Sequence, residues 1–273
     1  MRVHTVSDIT VACASNSDTI LKANLGASPA LAALSLHVER DAPTAAIAYN
    51  RALDATTAEI VVFAHHDVYL PLGWDKLLLS RLADLSTRHP DWALAGAYGV
   101  APDYRQFGPV WTSSLGQIIG RVPLHPEPVQ SYDEMLIILR RSSGLRFDDT
   151  QPGWHMYGTD IVQSARAAGR GAYAVGLPCI HNDRFHGALG SDFTQSYRWM
   201  QRKWPQFLPI QTPVTKISKS GLHLARERWN MRNSLGFREA DAVDTGAPPA
   251  ELARLCGWAD LSFAARAPDE RAG

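Results

Sequence analysis

Apolar runs rich in β-branched residues alternate along this chain with stretches of good helix formers. Residues 9–14, Ile-Thr-Val-Ala-Cys-Ala, predict a strand that stops at Ser15-Asn16-Ser17-Asp18, a loop or helix cap. A helix over 19–24 and a second strand over 33–38 follow. Thr44 then stands where a cap is needed for an Ala-rich helix over 45–55. Residues 59–64, Glu-Ile-Val-Val-Phe-Ala, form a continuous apolar strand of the kind buried on both faces in a parallel sheet. It ends in His65-His66-Asp67. Strand, helix, strand, helix, strand within the first 70 residues is an α/β pattern.

The alternation continues. The pattern predicts a helix over 74–88, a glycine-bearing strand over 92–100, and a loop or hairpin excursion over 108–122. It then predicts a strand over 134–140, a helix over 159–168 ended by Gly169, a short strand over 172–175 and a helix over 193–203. From Gly236 the chain turns Ala-, Pro- and charge-rich, with one expected helix over 250–258 and a flexible end. The expected organisation is one α/β domain over 1–210 and a partly helical extension over 211–273.

Composition narrows the function classes. The 273 residues carry 27 Lys+Arg against 27 Asp+Glu, so no bulk charge favours nucleic acid or an anionic membrane, although local basic patches are not excluded. No apolar run reaches about 18 residues, so no transmembrane helix is expected. The first residues lack a signal-peptide apolar stretch. Cys13, Cys179 and Cys256 are odd in number and far apart, which suits neither a metal spacing nor a disulfide framework. A reducing, cytoplasmic setting is the expectation.

Ligands of open α/β sheets bind at the carboxyl ends of the strands. In this reading Ser15-Asn16, Glu39 and His65-His66-Asp67 fall there. The chain lacks a Gly-x-Gly-x-x-Gly turn, a Gly-Lys-Ser/Thr phosphate loop and a Gly-x-Ser-x-Gly elbow. Three signals remain. A carboxylate at the end of a buried strand, Asp67, is costly unless it meets cations or donors; a divalent ion on a diphosphate would satisfy it, and so would a simple turn cap. Asp160 sits at a predicted helix start, where it is either an ordinary first-turn acid or a general base. Cys179-Ile180-His181 and His186 follow a short strand, as a metal-ligating histidine would or as unrelated loop histidines.

These signals share their order with a known family. The chain resembles family-2-type glycosyltransferases of the GT-A fold, and more closely the bacterial glycosyltransferase-like group that includes a streptomycin-biosynthesis protein. The resemblance runs through residues 48–53 (Ala-Tyr-Asn-Arg-Ala-Leu), 61–68, 133–138, 145–148, 155–161, 178–181 and Lys203-Trp204. It covers roughly residues 8–210.

The resemblance implies a mixed, mainly parallel sheet flanked by helices, with a nucleotide-sugar donor, Mn²⁺ or Mg²⁺, and inverting transfer to a saccharide or natural-product acceptor. The family's Asp-x-Asp becomes His65-His66-Asp67 here, which keeps only the last carboxylate. By the same resemblance Asp67 and His181 are the metal ligands, with His186 second, and Asp160 is the base. Ala14, Ser15, Asn16, Glu39, Asn50 and His66 face the donor. The ring edges of Trp154, His155 and Tyr157 suit an acceptor wall. Two other classes stay open: a non-catalytic nucleotide- or glycan-binding module, and a metal-dependent hydrolase built on His65, His66, Asp67, His155 and His181.

Overall fold

A computed structural model describes residues 4–243 and 246–264. Its centre is a seven-stranded sheet built from β1 (Ile9–Ala14), β2 (Ser35–Glu39), β3 (Ile60–Ala64), β4 (Trp92–Gly96), β5 (Glu127–Pro128), β6 (Leu136–Arg140) and β7 (Gly171–Ala174), in the order β5-β7-β4-β6-β3-β1-β2. β2, β1, β3, β4 and β7 all run in one direction, while β6, wedged between β3 and β4, and β5 at the edge run against them. The expected mixed, mainly parallel α/β sheet is therefore what this chain forms.

The helices follow from local chemistry. Ser17 accepts from the Ile20 N–H to cap α1 (Asp18–Ala23), and Thr44 accepts from the Ile47 N–H to cap α2 (Ala45–Ala55). α3 (Trp74–Arg88), α4 (Tyr157–Ala167) and α5 (Ser191–Lys203) complete the layers on the sheet and its edge. β3 is buried throughout. Its Ile60, Val62 and Ala64 share a core with Leu77, Leu78 and Leu82 of α3, and Val61 and Phe63 share another with Tyr49 of α2 and Ile161 of α4. This two-sided burial explains the unbroken apolar run.

A small second sheet sets the site. The short strand Val68–Tyr69 pairs with Cys179–His181, which pairs with Val110–Thr112 and then Gln117–Ile119. The expected excursion over 108–122 is thus a hairpin. The expected strand over 92–100 divides instead into β4 and Gly99–Val100, which joins a separate sheet with Ser131–Tyr132. The glycines there are spatially required, because a Cβ on Gly96 would lie 2.5 Å from the Tyr132 ring.

Beyond residue 204 the chain forms α6 (Leu222–Asn233) and α7 (Leu235–Asp241), where the sequence reading predicts no helix. The apolar residues of α6 do not share one stripe: Leu224 is buried while Leu222 and Trp229 face outward. α8 (Pro249–Leu255) lies where a helix was expected, and its Leu252 and Ala253 bury against Tyr69 and Ile180. The Leu261 N–H donates to the Leu72 carbonyl at 2.7 Å. The expected flexible end lies outside the described residues.

Candidate active site and metal centre

The carboxyl ends of β1, β2 and β3 open into a cleft of about 1090 Å³. Ala14, Ser15 and Asn16 line it from β1, Glu39 from β2, and His65, His66 and Asp67 from β3. Ser15 is tied to its neighbours at the ends of β2 and β3. Its N–H donates to the Glu39 carbonyl at 3.0 Å, and its hydroxyl meets His66 Nδ1 at 2.9 Å. Glu39 lies 2.6 Å from His37 Nε2.

Asp67 meets His181 through strand pairing. His181 stands opposite Val68 in the antiparallel register, and the Asn182 N–H donates to the Asp67 carbonyl at 2.9 Å. Asp67 Oδ1 then lies 3.4 Å from His181 Nε2. His65, Asp67 and His181 each offer one ligand atom, all within 4.8 Å of one another. Asp67 Oδ1 is buried without a hydrogen-bond partner. An orphaned carboxylate oxygen facing two imidazoles fits a divalent cation, and a nitrogen-rich donor set with one oxygen suits Mn²⁺ or Zn²⁺ better than an all-oxygen ion such as Ca²⁺. His181, not His186, joins the group; His186 lines the cleft.

A supporting layer fixes His65. Tyr157 donates its hydroxyl to the Glu134 carbonyl at 3.0 Å, so its contact with His65 Nε2 at 2.8 Å needs the proton on that nitrogen. Nδ1 is left as the ligand atom, the arrangement that orients metal-binding histidines. Burial, the largest influence, pushes His65 down to about 4, so it stays neutral. Burial opposes the charge on Asp67, but His181 and the other imidazoles outweigh it and hold the carboxyl below its ordinary value. Burial also disfavours charge on His181, yet Asp67 and then Asp183 raise it to about 10.

A second carboxylate faces the cleft. Glu134 precedes β6, and its Oε1 accepts from the Gly158 N–H at 3.3 Å at the start of α4, whose preceding residue, Met156, provides no side-chain cap. Burial, helped by neighbouring Asp133, pushes Glu134 up to about 8. Trp154 and His155 line the same cleft, with Arg184, Asn182 and the segment 246–249 on its far wall.

Three expected site residues lie elsewhere. The expectation of a base at Asp160 is not carried by this geometry. Asp160 is 1% exposed and outside the cleft lining, and its carboxylate accepts from Lys203 Nζ at 2.9 Å and from the Trp204 indole N–H at 2.7 Å. Asn50, expected at the donor, is 6% exposed and also outside the lining. It donates to the Phe147 carbonyl at 2.9 Å and to Asp149 Oδ1 at 2.7 Å, pinning the turn ahead of α4. Tyr157, expected at the acceptor, is buried behind His65. Ala14, Ser15, Asn16, Glu39, His66, Asp67, Trp154 and His155 do line the cleft. The transferase reading left His65 out of its metal ligands, although the hydrolase alternative included it. Sequence reasoning also missed Glu134, Asn182 and Arg184, of which only Glu134 carried a signal, the paired acids before a strand.

No protein-family model matches the chain. Among curated proteins it is similar to the ATP synthase subunits region ORF 6 of Fuscovulum blasticum, at 27% identity over 166 residues, 55% of this chain. The match spans 64% of that relative's length. Among solved structures it is similar to a mannosyltransferase from Pyrobaculum calidifontis in complex with GDP-Man and Mn²⁺, at TM-score 0.46 and 17% identity, covering 97% of this chain and 82% of that one. It is also similar to glucosyl-3-phosphoglycerate synthase from Mycobacterium tuberculosis in complex with Mn²⁺, UDP and phosphoglyceric acid, at TM-score 0.45 and 16% identity, covering 76% and 80%.

Proposed function

We propose that this chain is a metal-assisted, inverting glycosyltransferase that moves a sugar from a nucleotide-sugar donor to a saccharide or natural-product acceptor. The observation that carries the reading is the meeting of His65, Asp67 and His181 at the carboxyl end of the sheet, in one cleft with Ser15, Asn16 and Glu39. The resemblance to family-2-type glycosyltransferases at residues 48–53, 133–138 and 155–161, outside that group, supports it as well.

His65, Asp67 and His181 would hold Mn²⁺; of the two ions expected from the sequence, Mg²⁺ fits a donor set with two imidazoles less well. An ion bound there would supply charge neutralisation for a departing diphosphate. His66 and Arg184 line the same cleft and bring further donors toward the leaving group. Asn16 and Glu39 offer polar edges to the nucleoside.

On the acceptor side, Trp154 and His155 provide a ring face and a polar edge for a sugar. Glu134 takes the proton from the acceptor hydroxyl as its oxygen bonds to the anomeric carbon and the bond to the diphosphate breaks. A carboxyl raised to about 8 is poised for general-base work near neutral pH. Asp160 serves at a distance, fastening α5 to α4 through Lys203 and Trp204.

The test is a melting-temperature screen of nucleoside diphosphates and sugar nucleotides, each with and without Mn²⁺, followed by assay of nucleoside diphosphate release. The reading expects stabilisation by a nucleoside diphosphate that depends on Mn²⁺, and release when acceptor is added. Tight Zn²⁺ binding with no nucleotide binding overturns it in favour of a hydrolase. Donor binding without release in any acceptor pool overturns it in favour of a binding module.

A further inference from the structure

The charge balance of the whole chain hides a local segregation. Residues 216–239 hold six Lys/Arg (Lys216, Lys219, Arg226, Arg228, Arg232 and Arg238) against Glu227 and Glu239. Within this stretch α6 buries Leu224 and turns its opposite face outward.

That outward face has a definite order. Leu222 and Trp229 are seven residues apart and share one line along the helix, with exposed Ala225 between them. They are 73% and 58% exposed. At about 100° per residue, Arg226 falls on one flank of this line and Arg232 on the other, while Arg228 turns back onto the Leu189 and Gly190 carbonyls. Just beyond, α7 adds Leu235 and Phe237, the latter 79% exposed.

An apolar stripe centred on Trp and edged on both sides by arginine is the layout of a helix lying in a lipid interface. The ring and aliphatic side chains enter the headgroup boundary while the guanidinium groups reach anionic phosphates. A nucleic-acid face would give no role to Leu222 and Leu235, and a protein groove would not call for cations along both edges.

We propose that the outer face of α6 and α7 docks the protein on an anionic lipid surface. The docked face adjoins the cleft. Arg238 donates to the carbonyls of His186 and Gly187, each at 3.1 Å, and Arg228 donates to the Gly190 carbonyl at 3.2 Å. The loop that carries Arg184 and His186 into the cleft is thus tied to the helices that meet the membrane. The docking does not depend on the proposed transferase chemistry.

Vesicle co-sedimentation of the full chain tests it, with phosphatidylcholine alone or mixed with phosphatidylglycerol. The expected result is binding to the phosphatidylglycerol mixture only, reversed by salt as charges are screened. Two exposed-site double variants, Leu222→Asn with Trp229→Asn and Arg226→Glu with Arg232→Glu, are each expected to weaken binding about tenfold or more. Absence of binding by the unaltered chain overturns the proposal, as does undiminished binding by both variants. Capture by duplex DNA at a salt concentration where vesicles are not bound also overturns it. Should a variant not fold, hydrogen exchange on the unaltered chain decides: new protection in residues 222–238 on anionic vesicles upholds the proposal, and its absence there overturns it.

Discussion

Asp67 Oδ1 faces His181 Nε2 at 3.4 Å, and strand pairing of Val68 with His181 puts them there. The carboxylate is held ionised mainly by the imidazoles around it, against the opposing effect of burial. The same oxygen has no hydrogen-bond partner. Asp67→Asn is expected to weaken metal-dependent nucleotide binding by about tenfold or more, since it removes the only anionic ligand of the three. Calorimetric titration of nucleoside diphosphate with and without Mn²⁺ checks this; equal affinities in mutant and unaltered protein would remove Asp67 from the site.

Tyr157 acts one step behind the ligands. Tyr157→Phe removes the hydroxyl between His65 Nε2 and the Glu134 carbonyl and leaves the ring packing of Tyr49 and Phe147 in place. Metal affinity is expected to drop about 10–100-fold, the range seen when an outer partner of a ligating histidine is lost. Stability should fall by about 1 kcal/mol. Mn²⁺ titration beside thermal melting separates the two effects.

Glu134 ties activity and stability to pH in opposite senses. Its carboxyl rises from the ordinary 4.5 to about 8 on folding, so between those values the folded chain binds more protons than the unfolded one. Its contribution to stability is present in full below the unfolded value and is lost as pH rises through about 8. The melting temperature of the unaltered protein should therefore decline relative to Glu134→Gln over that interval. Turnover should climb with pH over the same window and fall about 10²–10⁴-fold in Glu134→Gln at constant donor affinity. Parallel pH series of melting and turnover read both; a Glu134→Gln protein with normal turnover excludes it as the base.

Asp160 should behave as a fastening. Asp160→Asn keeps an acceptor for the Trp204 indole but loses the charge beside Lys203, which retains Asp148 at 2.7 Å. A loss of about 1–3 kcal/mol in unfolding free energy is expected, with donor affinity unchanged. Turnover should stay within about tenfold of normal, unlike the loss for a true base. Denaturant melts set beside turnover decide the matter; a drop of a thousandfold with normal stability would return the base to Asp160.

The sheet was readable because its strands are buried on two faces, so Ile60–Ala64 shows as an unbroken apolar run. The His-His-Asp triplet was readable because charge at the end of such a run is conspicuous. A histidine after a short strand suggested a ligand beside Asp67, but unrelated loop histidines suited the same pattern, since residue-level patterning contains nothing about the register of two short strands more than a hundred residues apart. Asp160 was open to two roles for a physical reason: a first-turn helix acid looks the same whether it faces solvent, a cleft or, as here, a lysine and an indole in the core. Helices α6 and α7 escaped notice because much of their apolar surface points outward, contrary to the stripe that marks a core-facing helix.

The far wall of the cleft comes from residues 246–249, while the near wall begins at residue 14. The Asn182 side chain bridges these distant stretches, donating to Asn24 Oδ1 at 3.0 Å and to the Ala247 carbonyl at 3.5 Å. The sheet and the His65–Asp67–His181 group draw on residues no later than His181. A chain ending before residue 246 is therefore expected to keep the metal group while its cleft lies open on the side that residues 246–249 now cover.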